Sequence, residues 1–162
     1  YFVHPDGAVQ HYDKKHLFTF GGEHKRFTAG TERVVVNFRG VRILLEVCYD
    51  LRFPVWSRNL GDYDMILYVA SWPTPRVDAW SALLRARAIE NQCYVAGVNR
   101  MGTDPACEYS GGSAIIDPYG KTIAECPWSR ESAVSADIDM EALQAFRKKF
   151  PVLDDADPFT LI

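Results

Sequence analysis

With 162 residues, 48% of them hydrophobic, and a formal net charge of −3, the sequence has enough apolar material for the core of one domain. This excludes a disordered or collagen-like chain, and the slight acidity disfavours nucleic-acid binding. No apolar run approaches the roughly 20 residues of a membrane-spanning helix. We therefore expect a cytoplasmic protein without nucleic-acid or membrane partners. We expect it to fold as a single domain over 1–162.

The first predicted elements are short strands. Residues 1–3 have the pattern of the last part of a strand, which ends before a turn at 5–7. The sequence does not begin with methionine. We therefore expect the start at Tyr1 to be artificial, through a missing N-terminal portion or through processing. Residues 33–38 and 41–48 predict two consecutive strands, of which the second is mostly apolar on both faces, as in a buried strand.

The middle of the chain alternates strands with helices. Pro54 suits the first turn of a short helix that runs to about residue 59, because its fixed φ and missing N–H are tolerated there. Residues 65–70 and 94–98 predict further strands, and between them the apolar residues of 78–92 recur at helical spacing.

The last third predicts a hairpin, a strand and a helix. Strands 114–116 and 122–124 flank a turn at 117–120, where Pro and Gly suit the dihedral angles. A strand at 133–138 and a helix at 140–149 follow. The alternation predicts an α/β fold with a mixed sheet and helices packed on one face, and in a sandwich a second sheet would cover the other face.

The cysteines are widely and unevenly spaced, at positions Cys48, Cys93, Cys107 and Cys126. Their spacing contains no Cys-x-x-Cys pair or zinc-finger pattern, so we expect neither a disulfide framework nor a bound metal. Cys48 ends a predicted strand just before a helix start, where helix N–H groups and a nearby ammonium would lower a thiol pKa and favour the nucleophilic thiolate. The alternative is a small buried hydrophobe.

Two sequence runs resemble signatures of the nitrilase superfamily of carbon-nitrogen hydrolases. Residues 45–54 read Leu-Glu-Val-Cys-Tyr-Asp-Leu-Arg-Phe-Pro, like the family's nucleophile motif, and residues 14–18 read Lys-Lys-His-Leu-Phe, like its lysine motif. The resemblance extends over essentially the whole chain, including 85–92 and 110–120. Within the superfamily, residues 68–76 most resemble the omega-amidases, which hydrolyse the terminal amide of 2-oxo acids.

The resemblance implies a four-layer αββα sandwich and an amidase that needs no cofactor. Cys48 would attack the terminal amide of a small carboxylated substrate such as 2-oxoglutaramate or 2-oxosuccinamate, form a thioester and release ammonia. Lys14 and the N–H of Tyr49 would stabilise the oxyanion, and Glu23 would orient Lys14 and help to relay protons. The alternative for Lys14 is a solvated surface lysine, and the alternative for Glu23 is an acidic residue of a surface loop.

Three further residues are candidates for substrate binding. Arg52 lies four residues after Cys48, where related carbamoylases bind a substrate carboxylate, and the alternative is an ion pair with Asp50. Trp72 either lines the acyl pocket or packs in the core. His16 either supports the site through a hydrogen bond or is purely structural.

The family's general base is a glutamate N-terminal to the lysine, and residues 1–13 contain no glutamate. Loss of such a proton transfer typically costs about 10²–10⁴ in rate. We therefore expect residues 1–162 by themselves to be nearly inactive and the full-length parent to be an enzyme. We expect the αββα sandwich of this chain to be incomplete at its N-terminus. We also expect a homodimer or larger homo-oligomer formed through 78–92 and the tail at 154–159.

Two other functions stay open. The chain could be a catalytically inactive homologue that serves as a binding or assembly subunit, and a glutamate upstream of Tyr1 would argue against this. Nitrile hydrolysis, carbamoyl hydrolysis and acyl transfer are further possibilities, because all three run through the same cysteine.

Overall fold

The computed structural model describes residues 1–160, so the last two positions of the predicted domain lie outside it. Over this range three α-helices form: α1 (Pro54–Ser57), α2 (Val77–Glu90) and α3 (Met140–Lys149). The strands in chain order are β1 (Phe2–Val3), β2 (Val9–Gln10), β3 (Val35–Phe38), β4 (Val41–Val47), β5 (Met65–Ala70), β6 (Tyr94–Asn99), β7 (Met101–Thr103), β8 (Glu108–Ser110), β9 (Ala114–Ile116) and β10 (Thr122–Glu125).

One six-stranded sheet, in the order β10-β9-β6-β5-β4-β3, organises the chain. Strands β4, β5 and β6 are parallel, whereas β3, β9 and β10 pair antiparallel at the two edges. The register places Val47 beside Val69 at the ends of β4 and β5. Because parallel strands end at the same edge of a sheet, the residues that follow, Cys48 and Ser71, are brought together there.

Helix α2 packs on one face of this sheet. The core on that face contains Leu44, Ile66, Val95 and Ile116 from the strands and Trp80, Leu84 and Ala88 from the helix. Gly97 of β6 permits the close approach, because a Cβ there would lie 2.6 Å from Leu84 Cδ1 and 2.8 Å from Trp80 Cζ2. The expected α/β fold with a mixed sheet is therefore confirmed, and α2 is its longest helix.

A second core lies on the opposite face of the sheet, at the β3–β4 end. There Val36, Ile43 and Leu45 pack with Tyr12 of the N-terminal segment and Trp56 of α1. The indole N–H of Trp56 donates to the Tyr12 hydroxyl at 3.1 Å. This core anchors the segment of residues 12–16, which contains Lys14, against the strand that leads to Cys48.

The structure corrects two predictions of secondary structure and shows one hairpin that was not predicted. Residues 133–138 form no strand, since this largely exposed segment has no neighbouring strand with which to pair. The helix predicted from Pro54 to about residue 59 is a single turn, and a 3₁₀ turn (Cys48–Arg52) precedes it. The β7–β8 hairpin was not predicted, because its short polar strands lack a clear apolar alternation.

Candidate active site

Cys48 follows β4 directly and begins the 3₁₀ turn. Its φ is 51°, a left-handed conformation that few non-glycine residues adopt and that costs about 1–3 kcal/mol. The half-buried thiol lies 3.9 Å from the carbonyl oxygen of Ser71. Strain of this kind persists only where neighbouring contacts hold the backbone in place.

Asp50 supplies those contacts from a fully buried position. Its Oδ2 accepts hydrogen bonds from the Val47 N–H at 3.1 Å and the Tyr12 hydroxyl at 2.9 Å. Its Oδ1 accepts from the N–H and Nδ1 of His16, both at 2.9 Å. One carboxylate thus joins the turn that contains Cys48 to the segment that contains Lys14. The sequence prediction missed this role, because Asp50 was considered only as a partner for Arg52.

Lys14 and Glu23 form the charged pair of the site. Lys14 Nζ lies 2.7 Å from Glu23 Oε2, and the same oxygen accepts the Phe18 N–H at 2.8 Å. Burial acts to raise the pKa of Glu23, but the hydrogen bonds from Lys14 and the Phe18 N–H outweigh it and hold that pKa below its ordinary value. Glu23 therefore remains a carboxylate that fixes the position of the Lys14 ammonium.

The three residues predicted to be catalytic line one cleft of about 590 Å³. Lys14 and Glu23 approach from the N-terminal segment, and Cys48 from the end of β4. Val69 and Ser71, from the end of β5, form another part of the wall. The cleft therefore combines a thiol, an ammonium and a carboxylate from segments up to 34 residues apart in the chain.

A smaller cleft of about 40 Å³ adjoins Cys48 on another side. Its lining includes Arg52 and Trp72, which are predicted to bind the substrate, Tyr49, whose N–H is predicted to bind the oxyanion, and Arg76. The Arg52 guanidinium lies 4.8 Å from the centroid of the Trp72 ring, and the Trp72 indole N–H donates to the Arg76 carbonyl at 2.7 Å. Trp72 is also buried in the core, so it both lines the cleft and packs.

His16 is placed differently from the other predicted residues. Its ring stacks on Phe53 at a centroid distance of 3.8 Å and bonds to Asp50. It does not line either cleft beside Cys48 in the described part of the chain. Its contacts thus fit the structural alternative, in which it helps Asp50 to hold the two segments together.

The structure reverses the expected shift of the Cys48 pKa. Burial raises the pKa of this thiol, and the charge of Lys14 lowers it by less, since Glu23 neutralises Lys14 and its own charge acts in the opposite direction. The resting residue is therefore a thiol, and a nucleophilic attack by Cys48 requires a base that accepts its proton.

Glu46, on β4 two residues before Cys48, is a second buried acid that the sequence prediction did not use. Its Oε2 accepts from the Ser57 hydroxyl at 2.9 Å, and its Oε1 has no partner within residues 1–160. Burial is the main reason why its pKa is raised to about 8. The signal in the sequence is a glutamate inside an otherwise apolar strand.

Neither a metal-binding cluster nor a membrane-spanning helix was found in the described residues. Among residues 1–160 no group of three or more His, Cys, Asp or Glu side chains converges as metal ligands would. The helices of this range are too short or too polar to cross a bilayer. All four cysteines are free thiols.

Comparisons with known proteins agree with the motifs. The sequence model of the carbon-nitrogen hydrolase family matches residues 1–148. The omega-amidase YafV of Escherichia coli K12 is 55% identical over 98% of this chain and 62% of its own length. A 2-oxoglutaramate amidase of Bacillus subtilis is 40% identical over 96% of this chain and 61% of its own length.

A solved structure shares the fold. The crystal structure of XC1258 from Xanthomonas campestris, a CN-hydrolase superfamily protein with an arsenic adduct in its active site, superposes with a TM-score of 0.93. The two are 49% identical, and the match covers 97% of this chain and 62% of that one. The expected nitrilase-like fold is thus confirmed, and the chain spans about three fifths of the length of these relatives.

Proposed function

The chain belongs to the carbon-nitrogen hydrolase family, and from this premise we propose that it provides the nucleophile of an amidase. The substrate is the terminal amide of a small carboxylated molecule such as 2-oxoglutaramate or 2-oxosuccinamate. The observation that carries the proposal is the meeting of Cys48, Lys14 and Glu23 in one cleft. The relatives named omega-amidase and 2-oxoglutaramate amidase support the substrate class.

In the first step the sulfur of Cys48 attacks the amide carbon, and the carbonyl oxygen becomes a tetrahedral oxyanion. The Lys14 ammonium supplies positive charge beside this oxygen, and the N–H of Tyr49 is available because the first N–H groups of a helical turn have no partner within it. Collapse of the intermediate expels ammonia and leaves a thioester on Cys48. Water then hydrolyses the thioester and releases the acid.

The proton of the Cys48 thiol has to be transferred during the attack. Glu23 is poorly suited to accept it, because the Lys14 and Phe18 hydrogen bonds lower its pKa and so weaken it as a base. Its proposed role is to hold Lys14 towards the oxyanion. The expectation of a separate general-base glutamate, implied by the family resemblance, therefore stands as part of the proposal.

We also propose that the enzyme is cytoplasmic and forms a homodimer or larger homo-oligomer through α2 and the tail at 154–159. The four free thiols are typical of a reducing compartment. Ile89 of α2 is 54% exposed and Phe150, just after α3, is 60% exposed. Apolar side chains of this size at the surface favour contact with a second copy, and light scattering on the purified protein would measure its mass.

Intact-protein mass spectrometry during turnover of 2-oxoglutaramate tests the proposal, with the protein in its natural full-length form. We expect an acyl adduct that maps to Cys48, together with ammonia release that Cys48→Ala abolishes. Cys107→Ala is the matched control, because this thiol lies outside both clefts. Folded protein that gives neither adduct nor ammonia with amides or nitriles would favour a non-catalytic binding subunit.

A further inference from the structure

The small cleft beside Cys48 has an unusual distribution of charge. Arg52 reaches it from the 3₁₀ turn that Cys48 begins, and Arg76 reaches it from a second 3₁₀ turn (Thr74–Arg76) before α2. The rest of its lining is apolar, aromatic or neutral, and it includes no acidic side chain. Two arginines therefore line one cleft that adjoins the nucleophile.

No carboxylate of residues 1–160 neutralises either guanidinium. Within residues 1–160, Arg42, Arg87 and Arg147 each form an ion pair at 2.8–2.9 Å. Over the same range Arg52 and Arg76 have no carboxylate within 4.0 Å, and they lie instead over the rings of Trp72 and Phe18, at 4.8 and 5.6 Å from the centroids. Unpaired guanidinium groups held against aromatic faces form a binding site for a planar anion.

The backbone keeps Arg76 in this position. Its N–H donates to the Pro73 carbonyl at 3.0 Å, and its own carbonyl accepts the Trp72 indole N–H at 2.7 Å. The loop is thus fixed at both ends, between the sheet edge and α2. The volume of about 40 Å³ exceeds the roughly 10–15 Å³ that one water molecule needs, so the cleft has room for a small polar group such as a carboxylate.

We propose that Arg76 is a specificity-determining residue that, together with Arg52, binds the carboxylate of the amide substrate while Cys48 attacks the amide carbon at its other end. The inference rests on the proposed amidase function and extends it to the choice of substrate. Lys14 does not line this cleft, and in the proposed mechanism its ammonium serves the oxyanion in the larger cleft.

The same charges discriminate between 2-oxo acids and 2-amino acids. A 2-oxo acid presents three oxygen acceptors, from its carboxylate and the adjacent ketone, to the two guanidinium groups. Glutamine or asparagine would instead place an ammonium next to its carboxylate, against two cations and without an acidic partner in the cleft. Repulsion of like charges then disfavours the amino-acid amide, so the site selects the 2-oxo acid.

The test compares Arg76→Gln and Arg76→Lys with wild type on 2-oxoglutaramate, glutamine and the neutral amide pentanamide. For 2-oxoglutaramate we expect KM to rise about 10- to 100-fold in Arg76→Gln, since a charge-assisted hydrogen bond is lost, and less in Arg76→Lys. The kcat/KM for pentanamide stays within about twofold. Arg100→Gln is the control, because Arg100 also lies over an aromatic ring but outside this cleft.

An equal loss on both amides in Arg76→Gln, or unchanged KM for 2-oxoglutaramate, would overturn the inference while leaving the amidase function intact. A second readout does not need turnover: calorimetric binding of the product 2-oxoglutarate to Cys48→Ser. We expect binding that Arg76→Gln weakens at least tenfold and that Arg100→Gln leaves unchanged. If neither the Arg76→Gln nor the Arg100→Gln change alters this binding, Arg76 is not the anion site, whatever reaction Cys48 performs.

Discussion

Replacement of Asp50 by asparagine tests how the site is held together. The carboxylate accepts four hydrogen bonds, two on each oxygen. An asparagine retains one acceptor oxygen, so in either orientation its NH₂ group faces one backbone N–H, that of Val47 or that of His16. A buried donor left without an acceptor costs about 1–3 kcal/mol. We expect the free energy of unfolding to fall by about 2 kcal/mol.

The same change is expected to slow the reaction, because Asp50 connects the segment of Lys14 to the turn of Cys48. A displacement of about 1 Å in a catalytic group can cost about 100-fold in rate. Urea unfolding measures the stability, and ammonia release together with the pH profile of Cys48 alkylation measures the site. In Asp50→Asn we expect lower kcat. Loss of the Asp50 charge by itself lowers the pKa of the Cys48 thiol, but Lys14 has the larger influence on this pKa, so its displacement moves the alkylation profile to higher pH.

Asp64→Asn is the matched control for this prediction. Asp64 is also a buried carboxylate that accepts several hydrogen bonds, here from Arg42 and Arg147. Neither Asp64 nor these two partners line either cleft. Asp64→Asn should lower the free energy of unfolding by about as much as Asp50→Asn does, and it should leave the pH profile of Cys48 alkylation unchanged. If Asp64→Asn moved the profile as much as Asp50→Asn, or if Asp50→Asn stayed within about 0.5 kcal/mol of wild type, the reasoning would be wrong.

Three other changes probe the site and the fold. Lys14→Met should lower kcat about 100- to 1,000-fold with little change in KM, because the oxyanion develops only after binding; Lys15→Met is the control, and an equal loss there would contradict the role of Lys14. Glu46→Gln should flatten the pH dependence of stability: the folded protein keeps the Glu46 proton up to about pH 8, whereas the unfolded chain releases it near pH 4.5. Stability of the wild type therefore falls as pH rises between these values, by up to about 1 kcal/mol per pH unit, and unfolding at pH 5 and pH 8 checks this. Gly97→Ala should destabilise by about 1–3 kcal/mol, because its Cβ overlaps Leu84 and Trp80; a denaturant midpoint equal to that of the wild type would refute the packing argument.

Local patterns in the sequence were sufficient to predict most of the regular elements. The predicted bounds of β5 and α3 match those of the structure, because these segments combine a strong periodicity with clear breaks at their ends. The strand predicted at 133–138 failed for the opposite reason, since alternation without a partner strand does not form a sheet. Pairing partners are a property of the tertiary structure, which a single segment does not encode.

The candidate site was predictable only in part. The motif around Cys48 and the lysine motif identify two segments, but their meeting depends on Asp50, a buried hub that no local pattern signals. Arg76 is 28 positions beyond Cys48 in the sequence and reaches the same cleft only because β4 and β5 end at the same edge. The direction of the Cys48 pKa shift was mispredicted because burial cannot be read from a strand end.

A protonated thiol at rest suits amide hydrolysis better than a free thiolate would. Ammonia is expelled only after the amide nitrogen gains a proton, and the proton that Cys48 loses on attack can be delivered to that nitrogen by the base that removed it. The raised pKa of Cys48 keeps this proton available until substrate arrives. In the proposed mechanism Lys14, held by Glu23, then stabilises the negative charge once it has moved from sulfur to the carbonyl oxygen. Burial of the thiol and neutralisation of the lysine thus act together, since both delay charge separation until the transition state.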